Sequence, residues 1–161
     1  MFVVKAGLSD NIEIRSSSDK VREFFSNVAN FAELMPGIDQ IHTDANGVAH
    51  WKVQTEVPVV GQILQRFALE LAENTDERVE WTPLRTEAEN FLRYSADFFE
   101  KAKNVTLVHF SQAVELRRKK AGDLHALAWL AGESLISSEM TRSVTKMIRI
   151  FIDRAKERLE N

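Results

Sequence analysis

The sequence predicts an α+β fold over residues 1–161, as one domain: a curved antiparallel sheet of about seven strands wrapped around a long C-terminal helix, with two short helices after the first strand. Three observations predict it. From Glu139 to Glu160, the apolar residues Met140, Val144, Met147, Ile148, Phe151, Ile152, Ala155 and Leu159 recur every three or four positions, the stripe of an amphipathic helix. From about Ile41 to Leu116 the hydrophobic period changes to two, the period of strands. The opposite helix face carries Arg142, Lys146, Arg149, Asp153, Arg154, Lys156 and Glu157, so the apolar stripe alone needs a cover. A curved sheet is the economical cover, and a sheet gripping a helix suggests a binding protein.

Each element follows in order. Phe2 to Ser16 reads as extended, with Ile12 and Ile14 alternating against Glu13 and Arg15, and Gly7 marks an expected bulge. Ser17, Ser18 and Asp19 offer helix caps ahead of Val21, Phe24, Phe25 and Val28 at helical spacing. Asn30 opens a second short helix with Glu33 as the partner of an approximate capping box, and Pro36-Gly37 stops it. The second strand runs from about Ile38 to Thr43 and turns at Asp44-Ala45-Asn46-Gly47. The third, Val48 to Val57, places Trp51, Val53, Thr55 and Val57 on one face. The fourth, Gln62 to Glu73, turns Ile63, Phe67, Leu69 and Leu71 inward, and the fifth, Arg78 to Leu84, turns Val79 and Trp81 inward. The sixth runs from about Phe91 to Phe99 with two competing phases: Leu92, Tyr94, Ala96 and Phe98 inward, or Phe91 and Phe99 inward. The seventh runs from Val105 to Arg117 with Val108, Phe110, Val114 and Leu116 on one face, shared by Thr106 and Gln112.

Composition narrows the function classes. Hydrophobic content of 44% and charged content of 28% are ordinary for a soluble globular chain. No apolar run approaches the roughly 20 residues of a membrane span and no stretch reads as a signal peptide, so the cytoplasm is the default compartment. The absence of cysteine excludes disulfides, a thiol nucleophile and cysteine metal sites. A net charge of −3 gives no reason to expect nucleic acid as a partner.

The order strand, two short helices, six strands and long terminal helix resembles the START-like superfamily, the helix-grip or Bet v 1-like fold that includes polyketide cyclases and lipid-transfer domains. Within it, the run from Val28 to Ile38, with its Met35-Pro36-Gly37 turn, is similar to the carbon monoxide dehydrogenase G-like branch. The resemblance implies a hydrophobic-ligand cavity between sheet and terminal helix, with the Met35-Pro36-Gly37 turn near one end of it and no fixed catalytic set. The likeness to the dehydrogenase-associated branch implies service to a redox enzyme or to its membrane attachment.

The candidate ligand-binding residues are Trp51, Thr55, Gln65, Phe67, Tyr94, Val108, Phe110, Gln112, Met147 and Phe151. Thr55, Gln65, Tyr94 and Gln112 are the polar members of otherwise apolar faces. Either backbone and water satisfy them, or they orient a mostly apolar ligand. His42, His50, His109 and His125 lack metal-ligand spacing, so neither a metal nor another cofactor is expected. No Gly-x-Ser-x-Gly elbow or glycine-rich phosphate loop occurs, and no catalytic residue is assigned. Arg117-Arg118-Lys119-Lys120 reads as a solvated strand end. The apolar stretch with Leu124, Leu127 and Trp129 that follows reads as core, or as a contact with a membrane surface, a protein or a second copy in a homodimer. The leading reading is a non-catalytic binder of a lipid, quinone or polyketide-like molecule. A cyclase or dehydratase using the same cavity, and an interaction protein whose ten phenylalanines fill the cavity, are the alternatives.

Overall fold

A computed structural model describes all residues, Met1–Asn161. Seven strands form one antiparallel sheet in the order β1-β7-β6-β5-β4-β3-β2. They are β1 (Phe2–Ile14), β2 (Ile38–Thr43), β3 (Ala49–Val57), β4 (Gly61–Asn74), β5 (Arg78–Pro83), β6 (Asn90–Ala102) and β7 (Val105–Arg118). Helices α1 (Ser18–Ser26) and α2 (Ala29–Leu34) follow β1, and α3 (Gly132–Glu160) ends the chain. Irregularities in register at Ile38/Gln40, Leu71/Glu73 and Glu100/Ala102 accompany the bend of the sheet. The sheet and its long terminal helix are the expected architecture.

Helix α3 has 29 residues, which makes it roughly 43 Å long. It begins about two turns earlier than the expected Glu139, because Ile136 extends the apolar stripe through a serine-rich segment of weak helix propensity. Ile136, Met140, Val144, Met147, Ile148, Phe151, Ile152 and Ala155 are buried against the sheet. Arg154 Nη1 donates to the carbonyl of Leu34 at 2.8 Å, and Arg158 pairs with Glu33 at 2.7 Å, so the last turns of α3 also hold α2. That pairing draws the Glu33 carboxyl below its usual range, chiefly through the Arg158 hydrogen bonds.

The helix also covers a sheet edge. Strand β1 pairs only with β7, and the amides of Val3 and Lys5 along its free side, with that of Arg15 just past its end, donate to Glu133 Oε1 (3.0 Å), Ser137 Oγ (3.1 Å) and Glu160 Oε2 (2.9 Å) of α3. Both ends of the free edge are thereby satisfied from side chains.

Three local expectations are corrected, and the expected β2–β3 turn is found. Gly7 makes no bulge, since β1 and β7 stay in continuous register from Phe2↔Arg118 to Ile14↔Thr106. Its role is close approach: a Cβ there would stand 2.9 Å from the carbonyl oxygen of Gln112. Asn30 does not cap α2. Its Nδ2 donates to the Phe24 carbonyl at 2.8 Å, Val28 is the N-cap without a side-chain bond, and Glu33 is taken by Arg158. Leu71 is 42% exposed, because the irregularity at Leu71/Glu73 carries the end of β4 away from the core. The expected turn at Asp44-Ala45-Asn46-Gly47 does join β2 and β3 as a hairpin: Thr43 pairs with Ala49, Gly47 has a positive φ, and Asp44 holds the loop by accepting from the amides of Asn46 and Val48.

Candidate functional site

The concave face of the sheet divides into a solid half and a half with a cavity. Phe31, set on α2, is the hub of the solid half. Its ring lies 4.5 Å from Phe151, 4.7 Å from Tyr94, 5.6 Å from Trp51 and 6.4 Å from Phe110. The phase of β6 is thereby settled: Leu92, Tyr94, Ala96 and Phe98 are buried, while Phe99 is 68% exposed and Phe91 lies outside under the Arg117 guanidinium at 4.5 Å.

Beyond this aromatic block lies a cavity of about 30 Å³. Its wall comprises Met35 and Ile38 beside the α2–β2 turn, and Trp51, Val53, Thr55, Ile63, Gln65 and Phe67 of β3 and β4. Leu92, Gln112, Val114 and Leu116 of β6 and β7, with Met140, Val144 and Met147 of α3, complete it. Six of the expected residues therefore meet at one cavity: Trp51, Thr55, Gln65, Phe67, Gln112 and Met147. Tyr94, Val108, Phe110 and Phe151 do not line it. They are buried in the solid half, where Phe31 occupies the space that the strand pattern alone left open. Strand alternation gives no warning of a side chain arriving from a helix.

The turn Met35-Pro36-Gly37 shapes the wall locally. Gly37 has φ +88°, and a Cβ on it would meet Met147 Cε at 2.7 Å and the Gln54 carbonyl oxygen at 2.8 Å. The Gln54 amide donates to the Gly37 carbonyl at 2.7 Å, which pins the turn to β3. Glycine is thus required by both backbone angle and space.

Polar groups in and near the wall differ in how they are held. Thr55 Oγ1 reaches the Ile63 carbonyl only at 3.5 Å. Gln112 is buried. Gln65 Oε1 accepts from Asn90 Nδ2 at 3.0 Å and Arg118 Nη2 at 2.7 Å. Burial pushes the Tyr94 phenol well above its usual range, and its hydroxyl, like Nε1 of Trp51 and of Trp81, has no hydrogen-bond partner.

Arg118 corrects the reading of the basic run as a solvated strand end. Its side chain is 8% exposed and folds over the end of the sheet, since it continues the inward phase of Gln112, Val114 and Leu116. That phase was the signal available in the sequence. Arg117 stays outside, paired with Glu115 and stacked on Phe91, and Lys119 and Lys120 are exposed.

A second concavity, an open groove of about 740 Å³, adjoins the first. Thr55 and Ile63 pair across the β3–β4 hairpin and line the cavity; two residues further along the hairpin, Val57 and Gly61 pair and line the groove. On α3, Met140 and Val144 face the cavity, while Glu139 and Ser143 face the groove. Leu127 lines the groove too. In its segment Leu124 and Ala128 are buried, whereas Leu127 is exposed, Trp129 is 67% exposed and Leu130 is exposed. The stretch is therefore half core and half surface.

No protein-family model and no curated protein matches the chain. Solved structures do. The Zhui aromatase/cyclase from a Streptomyces species is similar over 96% of this chain and 95% of that one, with 12% identity and a TM-score of 0.63. A START superfamily protein from Mycobacterium smegmatis covers 94% and 97%, with 9% identity and a TM-score of 0.62. A conserved protein from Geobacillus kaustophilus covers 97% and 95%, with 12% identity and a TM-score of 0.66. At such identities the likeness shows the fold alone, a helix-grip fold of the START type. No helix is long and apolar enough to cross a membrane.

Proposed function

We propose that this chain binds a small, neutral, mainly apolar molecule between the sheet and α3 and does not transform it. A lipid, a quinone or a polyketide-like compound fits the description. The observation that carries the reading is the wall itself: 12 of its 15 residues are hydrophobic, and the other three, Thr55, Gln65 and Gln112, are neutral. A few placed polar groups in an apolar lining is the usual make-up of a ligand site. The aromatase/cyclase neighbour suggests a cyclase or dehydratase as the alternative. That reading is weaker, because a general acid or base must reach the substrate with a suitable pKa, and no residue of the wall titrates.

The volume demands an account. About 30 Å³ has room for roughly two water molecules, whereas ligand pockets typically span ~300–1,000 Å³. A ligand therefore enters only as the wall yields. Met35, Met140 and Met147, every methionine except the first residue, stand in that wall. Methionine is the unbranched apolar side chain that best follows a changing shape. The groove beside the β3–β4 turn gives the displaced side chains somewhere to go.

The same volume favours a second reading, an interaction protein whose core is filled by its own side chains. Its contact surface would be the exposed apolar residues Val59, Leu127, Trp129 and Leu130, against a membrane surface, another protein or a second copy. The narrower affinity with the carbon monoxide dehydrogenase G-like branch rests on residues 28–38 and belongs to the proposal, as does the cytoplasm as compartment.

Native mass spectrometry of the purified chain, before and after denaturing extraction, separates the two readings. A retained organic molecule, or saturable binding of a fatty acid near one per chain that Thr55→Phe or Gln112→Phe weakens, supports the binder. A bare mass together with no binding by the folded chain supports the filled core.

A further inference from the structure

Gln65 is the one wall residue whose hydrogen-bonding direction is fixed from behind. Arg118 has only donors, so the oxygen of the Gln65 amide must be the atom that meets Nη2 at 2.7 Å. Asn90 Nδ2 donates to the same oxygen at 3.0 Å and to the Arg66 carbonyl at 2.8 Å. The Asn90 oxygen accepts from Arg118 Nη2 at 2.7 Å, so neither amide can turn over without setting donor against donor. Arg118 is anchored in turn. Its Nη1 donates to the carbonyls of Arg117 (2.7 Å) and Glu89 (3.3 Å) and lies 3.6 Å from the Glu89 carboxylate. The hydrogens of Nη1 and Nη2 are thus taken up by protein acceptors, which fix the guanidinium in place behind Gln65.

This network occupies the oxygen of Gln65 and leaves Nε2 as the free polar atom of a side chain that lines the cavity. An N–H donor facing an apolar space is satisfied by an acceptor oxygen, and a pure hydrocarbon would leave it stranded. We propose that Gln65 is the specificity-determining residue of the cavity: Nε2 selects a neutral ligand bearing a carbonyl oxygen over a hydrocarbon of the same shape, with Arg118 and Asn90 as its positioning residues. The proposal rests on the reading that the cavity takes a ligand at all.

The test uses 1-tetralone and tetralin, one ring system with and without a carbonyl, titrated by calorimetry into the intact protein. The wild type binds the ketone about tenfold more tightly, the scale set by one buried donor left unpaired. Gln65→Glu keeps an acceptor toward Arg118 but turns the free donor into a second acceptor. It brings the ratio to one or below while tetralin binding survives. Arg118→Met combined with Asn90→Ala removes both donors to the Gln65 oxygen, frees the amide to turn and lowers the ratio without removing Gln65. In the wild type, the ketone also moves the Gln65 side-chain amide protons downfield of their positions with tetralin bound, as a hydrogen bond to its carbonyl requires. Equal affinities for the two probes in the wild type, or an undiminished preference in Gln65→Glu, overturn the assignment of Gln65 while the cavity stands. Failure of both probes to bind the folded wild type overturns the binding reading, and the assignment with it.

Discussion

Replacing Phe151 with alanine is the sharpest test of how the helix is held. The ring is fully buried and lies nearly parallel to Phe31, 4.5 Å away at an interplanar angle of 15°. Phe24 stacks at 5.9 Å, and Phe25 and Phe110 stand at 6.2 and 6.5 Å. Loss of a buried aromatic ring costs about 3–5 kcal/mol, with the spread set by how far the surroundings collapse. Here the neighbours are flat, stiff rings fixed on other elements, so collapse is poor. Each lost ring pairing adds to the area term, by about 0.5–1.5 kcal/mol where geometry is good. The expected loss is therefore in the upper half of the range, about 4–5 kcal/mol. Arg149→Ala, two residues earlier and exposed, should cost under about 0.5 kcal/mol. Urea melts followed by far-ultraviolet circular dichroism give both values, provided the m-value is unchanged. Phe151→Leu, at about 1–2 kcal/mol, keeps the comparison usable if the alanine variant unfolds. Equal effects at 149 and 151, or a cost below about 1 kcal/mol for Phe151→Ala, would refute the aromatic block as the anchor of α3.

Three further outcomes are expected. Gly7→Val places a side chain 2.9 Å from the Gln112 carbonyl oxygen and should cost about 1–3 kcal/mol in the same melts, the range for forced overpacking. The Asp44 carboxyl is held below its usual range, first by its hydrogen bond with His50 and then by the Val48 and Asn46 amides. A depressed folded pKa adds stability above the unfolded value of about 3.9 and loses it as the pH falls through the folded one, so Asp44→Asn should flatten the acid limb of a stability–pH curve below about pH 4. Trp129→Ala should shift the melt by less than about 0.5 kcal/mol, because the ring is largely exposed, and a loss of several kcal/mol would return that segment to the core.

The sheet and α3 were legible because their hydrophobic periods are long and unbroken: the stripe from Met140 to Leu159 and the alternation along β3 and β7 each fix a face. What escaped was whatever depends on two elements meeting. The two phases of β6 could not be separated from its own residues. Phe31 decides between them, because its ring, carried on α2, packs on Tyr94. The same ring packs on Tyr94, Phe110 and Phe151, which stand outside the cavity. Arg118 was hidden for the opposite reason. Beside Arg117, Lys119 and Lys120 it looked like one more solvated charge, although it sits in phase with Leu116. The bulge expected at Gly7 failed because glycine in a strand has two explanations, an irregular register or a close neighbour, and only the partner strand distinguishes them.

The first strand borrows its missing neighbour from the helix that walls the cavity. Amide exchange on an ordinary sheet edge reports little more than contact with water. Here the amides of Val3 and Lys5 donate to Glu133 and Ser137, in the opening turns of α3, and lose those partners when the turns lift. Two backbone protons near the N-terminus thus act as a gauge of a movement at the far end of the sequence. A ligand that pushes α3 outward would speed their exchange, and one that settles it would slow them, without any label placed in the cavity itself.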